Sequence, residues 1–466
     1  MTLAEILADF VHGLRCRPLA GQVEREALRV VLDWLGSAIR GGEVTPAQAI
    51  HAVVQRRMGG DSATVLSTGT RVSTLGAALA NGAASHALEL DDLHHGSTFH
   101  PAAPIVPAAL AAAEQVDADG RLFLQAIVAG YEVGIRIAEA ANPSHYRFWH
   151  PTSTCGVFGA AAAAGCVLGL SSEELADALG TAGTLASGLW QFLDEGAMSK
   201  PLHAGKAAHD GLLAAELAQS GLTGAHSILE GRRGFFAATT LTADSSRITD
   251  GLGTRYKILE NGYKRHACCG HTHTAIDGAL LLRDRLDGRL VDRVEVDTYL
   301  VALEITDYPV PKSETEAKFS LQHAVAVALI DGAAGIEQFR SSRLGAPDVI
   351  ELRRRVVVRE ASELTAVYPR EWPARVRLWL ADGASLEAMV RVPRGMPGNP
   401  MSDEELRDKF RTLVAPVIGF DGVERLIEEV ERLPAGLPVR ALVRSCASLV
   451  MAAHGASGRS LPPSSA

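Results

Sequence analysis

The run Gly156-Val-Phe-Gly-Ala-Ala-Ala-Ala-Ala-Gly-Cys-Val-Leu168 is the strongest constraint on how this chain can fold. Side chains this small leave neighbouring helix axes free to approach closely, and the run is too long and too uninterrupted to be a half-buried strand. A second alanine-rich run, Ala102 to Ala113, repeats the theme, and aromatic residues make up only 5% of the chain. Together they predict a tightly packed helical bundle.

Helical spacing extends from Met1 to about Gly251. Val23, Ala27, Val30, Val31, Trp34 and Ala38 fall on one face of a helix over 23–39, and helices are expected at 122–141, 175–187 and 207–220. Beyond Gly262 the texture changes. Residues 293–301, 356–359, 375–380 and 385–392 alternate as strands, with a hairpin turn at Asp382-Gly383. Helices over 272–287 and 317–330 lie among them. The expected fold is mainly α with an α+β second domain. A large all-helical domain spans 1–262, a smaller α+β lid domain spans 263–400, helices over 401–454 rejoin the helical domain, and a disordered tail occupies 455–466. The helix start at Ser402 carries the capping-box spacing to Glu405.

Bulk properties bound the function. A net charge of −9 and an isoelectric point near 6.0 argue against nucleic acid as a partner, so an anionic ligand must be held by local cations. No run of about 18 apolar residues free of charge or breaker is read here, so no membrane partner is expected. The segment Met1–Arg17 reads as an amphipathic helix and not as a secretory leader. Six cysteines without a regular framework point to reduced thiols and the cytoplasm.

Five stretches carry side chains suited to chemistry. His86 to Pro101 holds Asp91, Asp92, His94, His95 and His100, the residue types that move protons near neutral pH. A metal reading of this stretch lacks the fixed short histidine spacing that such sites favour. His150-Pro151-Thr152 precedes the alanine-rich helix and sets an imidazole, a hydroxyl and free N–H groups at its start. Lys200 sits in a Ser-Lys-Pro turn, and His203 and Lys206 follow it. Lys264 and Arg265 precede Cys268, Cys269, His271 and His273, whose spacing does not fit a zinc finger or ribbon. Lys318 and His323 lie in Ala-Lys-Phe-Ser-Leu-Gln-His.

The order of these blocks resembles the MmgE/PrpD family. Asn81-Gly82, His86, Asp91-Asp92 and His100-Pro101 carry the likeness first. Gly-x-Phe-Gly-Ala-Ala-Ala after His150, Lys200-x-x-His-x-Gly-Lys206-Ala-Ala, Lys264 with His273 nine residues on, and Ala-Lys318-Phe-Ser complete it. The family pattern has Asp where this chain has Glu89, and Thr where it has Leu93. Many relatives have Tyr at the place of His323, and in the decarboxylase branch that tyrosine belongs to the active site, so the resemblance weighs against a decarboxylase here. The resemblance implies a cofactor-free, metal-free lyase or isomerase that dehydrates, decarboxylates or epimerises a di- or tricarboxylate through an anion next to a carboxylate. A hydro-lyase acting on a 2-methylcitrate-like substrate is the first expectation. His100 and His150 are the candidate acid and base, in either order. Asp92 is expected to orient an imidazole, and Lys200 and Lys264 to hold substrate carboxylates. Arg265, His273, Lys206, Thr152 and His323 are candidate substrate contacts. A homodimer is implied as well.

Overall fold

The computed structural model describes residues 1–457. Six helices build the body that carries the site: α1 (Gly21–Gly41), α2 (Thr74–His86), α3 (Ala102–Val116), α4 (Gly120–Ala141), α5 (Gly156–Leu168) and α6 (Lys200–Gln219). Helix α5 lies at the centre, against α3, α4 and α6, and α6 also packs along α2. The small residues make this possible. A Cβ on Gly205 would come within 2.3 Å of the Leu79 carbonyl oxygen, and one on Gly211 within 2.5 Å of the Ala160 Cβ. Any larger side chain would push α6 off both neighbours.

The α+β unit follows. Helices α7 (His273–Arg283) and α8 (Leu321–Asp331) pack together beside a four-stranded sheet made of β1 (Val291–Thr298), β2 (Val356–Glu360), β3 (Ala374–Leu380) and β4 (Ser385–Val390). The strand order is β2-β1-β3-β4, with β1 and β2 parallel and the other pairs antiparallel. Strand β3 is buried at every second residue, so one face meets the helices. Gly383, at φ +87°, makes the β3–β4 turn that Asp382-Gly383 predicted. Helix α9 (Asp403–Ile418) carries the expected capping box and returns to pack on α1 in the helical body.

Four expectations are corrected. The helix expected over 317–330 is broken at Phe319-Ser320, because the Ser320 side chain accepts from the His323 N–H and starts a new helix there. Lys200 is not in a turn but opens α6, with Pro201 in the first turn where its missing N–H costs nothing. The last helix runs through Ser457, so the start of the predicted tail is helical; 458–466 lie outside the described residues. Residues Pro151–Leu168 do match a membrane span in length and composition, but 94% of that window is buried inside the protein, as befits a core helix.

Candidate active site

A two-residue strand pairing joins the halves of the site. Asp92-Leu93 pairs antiparallel with Gly262-Tyr263, Asp92 opposite Tyr263, which brings Lys264 beside the Glu89–Asp91 segment. Lys264 Nζ donates to Glu89 Oε2 at 2.9 Å and lies 3.9 Å from Asp91 Oδ1. From the first residue of α6, Lys200 Nζ donates to the other oxygen of Glu89 at 2.5 Å. One buried carboxylate thus bridges two buried ammonium groups. Glu89 has φ +58°, a left-handed conformation that costs a side-chain-bearing residue about 1–2 kcal/mol. Burial alone would raise its carboxyl, but Lys200 and Lys264 outweigh that and hold it well below the usual carboxylate range.

The imidazoles stand around this bridge. His86 Nδ1 donates to Asp91 Oδ2 at 2.6 Å, and His100 Nδ1 lies 3.4 Å from the same oxygen. His100 Nδ1 also donates to the carbonyl oxygen of Asp92 at 2.7 Å. A carbonyl can only accept, so the proton of neutral His100 sits on Nδ1 and its Nε2 keeps a free lone pair. Burial, reinforced by Lys264, pushes the His100 pKa well below the ordinary imidazole range. His150 is shifted the same way by burial and by His203. The His100 and His150 ring centroids are 6.4 Å apart, with His86 beside both.

These groups face a cavity of about 20 Å³, little more than one water needs. Glu89, His100, His150 and Lys200 line it from the helical side; Cys269, His271, Phe319 and Trp372 close it from the α+β side. Thr98, Tyr146 and Trp190 separate it from an outer groove of about 1160 Å³, whose wall they also form. The site is therefore closed and filled by its own side chains.

His100, His150, Lys200 and Lys264 thus meet at one place, and Thr152 supports them by accepting the His100 N–H through Oγ1 at 3.2 Å. Asp92 is a correction. Its carboxyl accepts from Tyr131 (2.5 Å) and from the Ala102 N–H (3.0 Å) at the start of α3, and only its backbone carbonyl touches His100. Asp91 stands just before this strand, and its carboxylate is the one that faces the imidazoles. Burial, with Asp91 nearby, raises the Asp92 pKa well above normal.

Four of the expected substrate contacts lie away from this cavity. Arg265 is exposed. Lys206 is half-exposed and bonds Asp210 and the Leu185 carbonyl. His323 turns its Nε2 to the Gln338 carbonyl at 2.8 Å, inside the α+β unit. His273 is buried edge-on against His266, with Nε2 3.4 Å from the Cys268 carbonyl. None of the four lines the cavity. Asp91, named from sequence with its neighbours, supports the site, and Glu89, Tyr146, Trp190 and Trp372 line it without having been given a role from sequence.

Two groups hold donor atoms at metal-ligand spacing among the described residues: His86-Asp91-His100 and His94-Glu139-Glu260. Each already faces an ammonium group, Lys264 in the first and Lys257 in the second, so the positive charge an ion would bring is supplied by the chain.

The MmgE/PrpD N-terminal domain matches residues 5–247 and the MmgE/PrpD C-terminal domain matches residues 266–434. The chain belongs to the MmgE/PrpD family. Its family relatives include the cis-aconitate decarboxylase of Homo sapiens, 29% identical over 451 residues that cover 93% of this chain and 92% of that protein. The cis-aconitate decarboxylase of Mus musculus is 28% identical (93% and 91% covered), and that of Aspergillus terreus 27% identical (92% of each). A lyase of small carboxylates is what this membership supports.

Proposed function

We propose that this chain is a carboxy-lyase acting on cis-aconitate or a closely similar unsaturated tricarboxylate. The observation that carries this reading is the buried Glu89 carboxylate shared by Lys200 and Lys264 next to the small cavity that His100 and His150 line. The names of the full-length relatives point the same way.

The chemistry follows from the groups present. Substrate carboxylates replace Glu89 on Lys200 and Lys264, which fix the molecule and neutralise charge that builds on its carbon skeleton. The C–C bond to one carboxylate breaks and carbon dioxide leaves. The bonding electrons remain on the skeleton as an allylic anion, and an imidazole delivers a proton to carbon. One proton is consumed per turnover. Water would quench or misdirect such an anion, and the buried site keeps it out.

A second reading, hydro-lyase action on a 2-methylcitrate-like substrate, is favoured by one feature. The lone pair fixed on His100 Nε2 is a base, which elimination requires and decarboxylation does not. Incubation with cis-aconitate, 2-methylcitrate, citrate and iminodisuccinate separates the possibilities. Carbon dioxide from cis-aconitate supports the first reading; an ultraviolet-absorbing alkene from 2-methylcitrate without gas supports the second. Solvent deuterium entering iminodisuccinate with neither would sink both in favour of epimerisation.

The six free cysteines suit a reducing compartment such as the cytoplasm. Exposed Phe148, Leu189, Met198 and Leu202 lie on segments that frame the site and suit pairing of two copies, which light scattering at micromolar concentration tests.

A further inference from the structure

His150 is buried, yet its Nδ1 lies 3.1 Å from Nδ1 of His203. His203 stands in the first turn of α6, three residues after Lys200 and so on the same helix face. Ser153 Oγ donates to its carbonyl (3.2 Å), and Phe192 meets its ring edge-on. The inner nitrogen, His150 Nε2, is buried with no hydrogen-bond partner, and His150 lines the cavity. The outer nitrogen, His203 Nε2, bonds no described residue, and the His203 ring is only half-buried.

Between two Nδ1 atoms at hydrogen-bond distance there is room for one proton. Where it sits decides what His150 is. With the proton on His203, neutral His150 carries its own proton on Nε2 and is a donor into the cavity. With the proton on His150, Nε2 is bare and is an acceptor. Lys200, Lys206 and His86 are the other charged or titratable groups acting on His203, and burial together with them keeps its pKa near 4, so the pair works as neutral rings.

We infer that His203 is a relay residue that sets the proton-donor state of His150 and reconnects it to solvent after each turnover. The inference rests on the carboxy-lyase reading for the direction of net proton flow. Decarboxylation consumes one proton inside a cavity with room for hardly more than a water, so each turnover needs a proton from outside. One enters at His203 Nε2, the shared proton passes to His150 Nδ1, and His150 Nε2 gives its proton to carbon. On product release water reaches the opened site and gives a proton to His150 Nε2, the shared proton returns to His203 Nδ1, and His203 Nε2 releases one to solvent, which restores the starting tautomers. Dehydration, which returns the abstracted proton with the departing hydroxide, needs no such net supply.

The test compares first and later turnovers of cis-aconitate in His203→Phe by rapid quench. The expected result is a first turnover and later turnovers slowed alike, by about 10²-fold, and recovery of both with added imidazole. No slowing, or slowing that added imidazole does not relieve, overturns the relay. A measurement that does not depend on turnover is the nitrogen–nitrogen scalar coupling across the His150–His203 bond in ¹⁵N-histidine-labelled protein. Coupling without carbon dioxide release from wild type means that the carboxy-lyase reading has failed while the linked pair stands. Carbon dioxide release without coupling overturns the relay alone.

Discussion

Two acid–histidine clusters flank the loop that follows α2, and they have nearly the same ingredients. His86, Asp91 and His100 stand with Lys264; His94, Glu139 and Glu260 stand with Lys257. In the second cluster Lys257 bonds both glutamates at 2.9 Å, Glu260 is half-exposed, and the His94 Nδ1 is bonded to Ser97. In the first, His86 Nε2 and Asp91 Oδ1 are buried without partners, and a cavity lies against His100. Composition therefore does not separate a structural cluster from a reactive one. Position does: His100 lines the small inner cavity, whereas Glu139 lines the wide outer groove.

The sharpest way to break this contrast is to remove the reactive groups. His100→Ala or Lys264→Ala is expected to lower kcat/KM by about 10²–10⁴-fold with the far-ultraviolet circular dichroism unchanged. Full turnover in both variants would contradict the site. Glu89→Gln leaves two buried ammonium groups without their anion and is expected to cost about 3–5 kcal/mol, read as a lower urea midpoint. Added tricarboxylate should recover much of that loss. Because the folded Glu89 carboxyl is depressed, its stabilisation is present above the ordinary carboxylate pKa and is lost as the pH falls through the folded value. The acid unfolding of Glu89→Gln should accordingly be shallower than that of the wild type.

Asp91→Asn tests the orientation of the base. Asp91 raises the affinity of His100 for its proton, so the acidic limb of the kcat/KM profile, already below the usual imidazole value, should move to still lower pH. A limb that stays in place would show that Asp91 does not act on His100. In the structural cluster, Glu260→Gln should leave turnover intact and cost about 1 kcal/mol or less, since Glu260 is half-exposed. Smallest of all, Lys206→Ala should change stability by no more than about 0.5 kcal/mol and leave KM alone.

How far the sequence could be read follows from the same geometry. The alanine-rich run foretold a buried central helix, and alternation in 375–380 foretold a strand with one buried face, because both patterns are direct imprints of packing. The motif blocks located His100, His150, Lys200 and Lys264. What could not be read was the facing of adjacent residues. Asp91 and Asp92 are chemically alike, and Lys264 and Arg265 are both cations; only the pairing of Asp92 with Tyr263 decides which member of each pair points inward. Lys206 is six residues after Lys200 on α6, which turns it about 240° around the helix and away from the cavity. The role of Glu89 was hidden for another reason: its two lysines come from segments distant in the chain, and only the fold brings them together.

That bridge has a consequence for which acids the protein can recognise. Any visitor must win both ammonium groups from a resident anion already tethered there, and a tethered group competes at a very high local concentration. Acetate or lactate, offering one anionic arm, would gain little by the exchange. A molecule with several arms recovers through the others what it loses in the first, so the abundant monoacids of a cell should pass this site by.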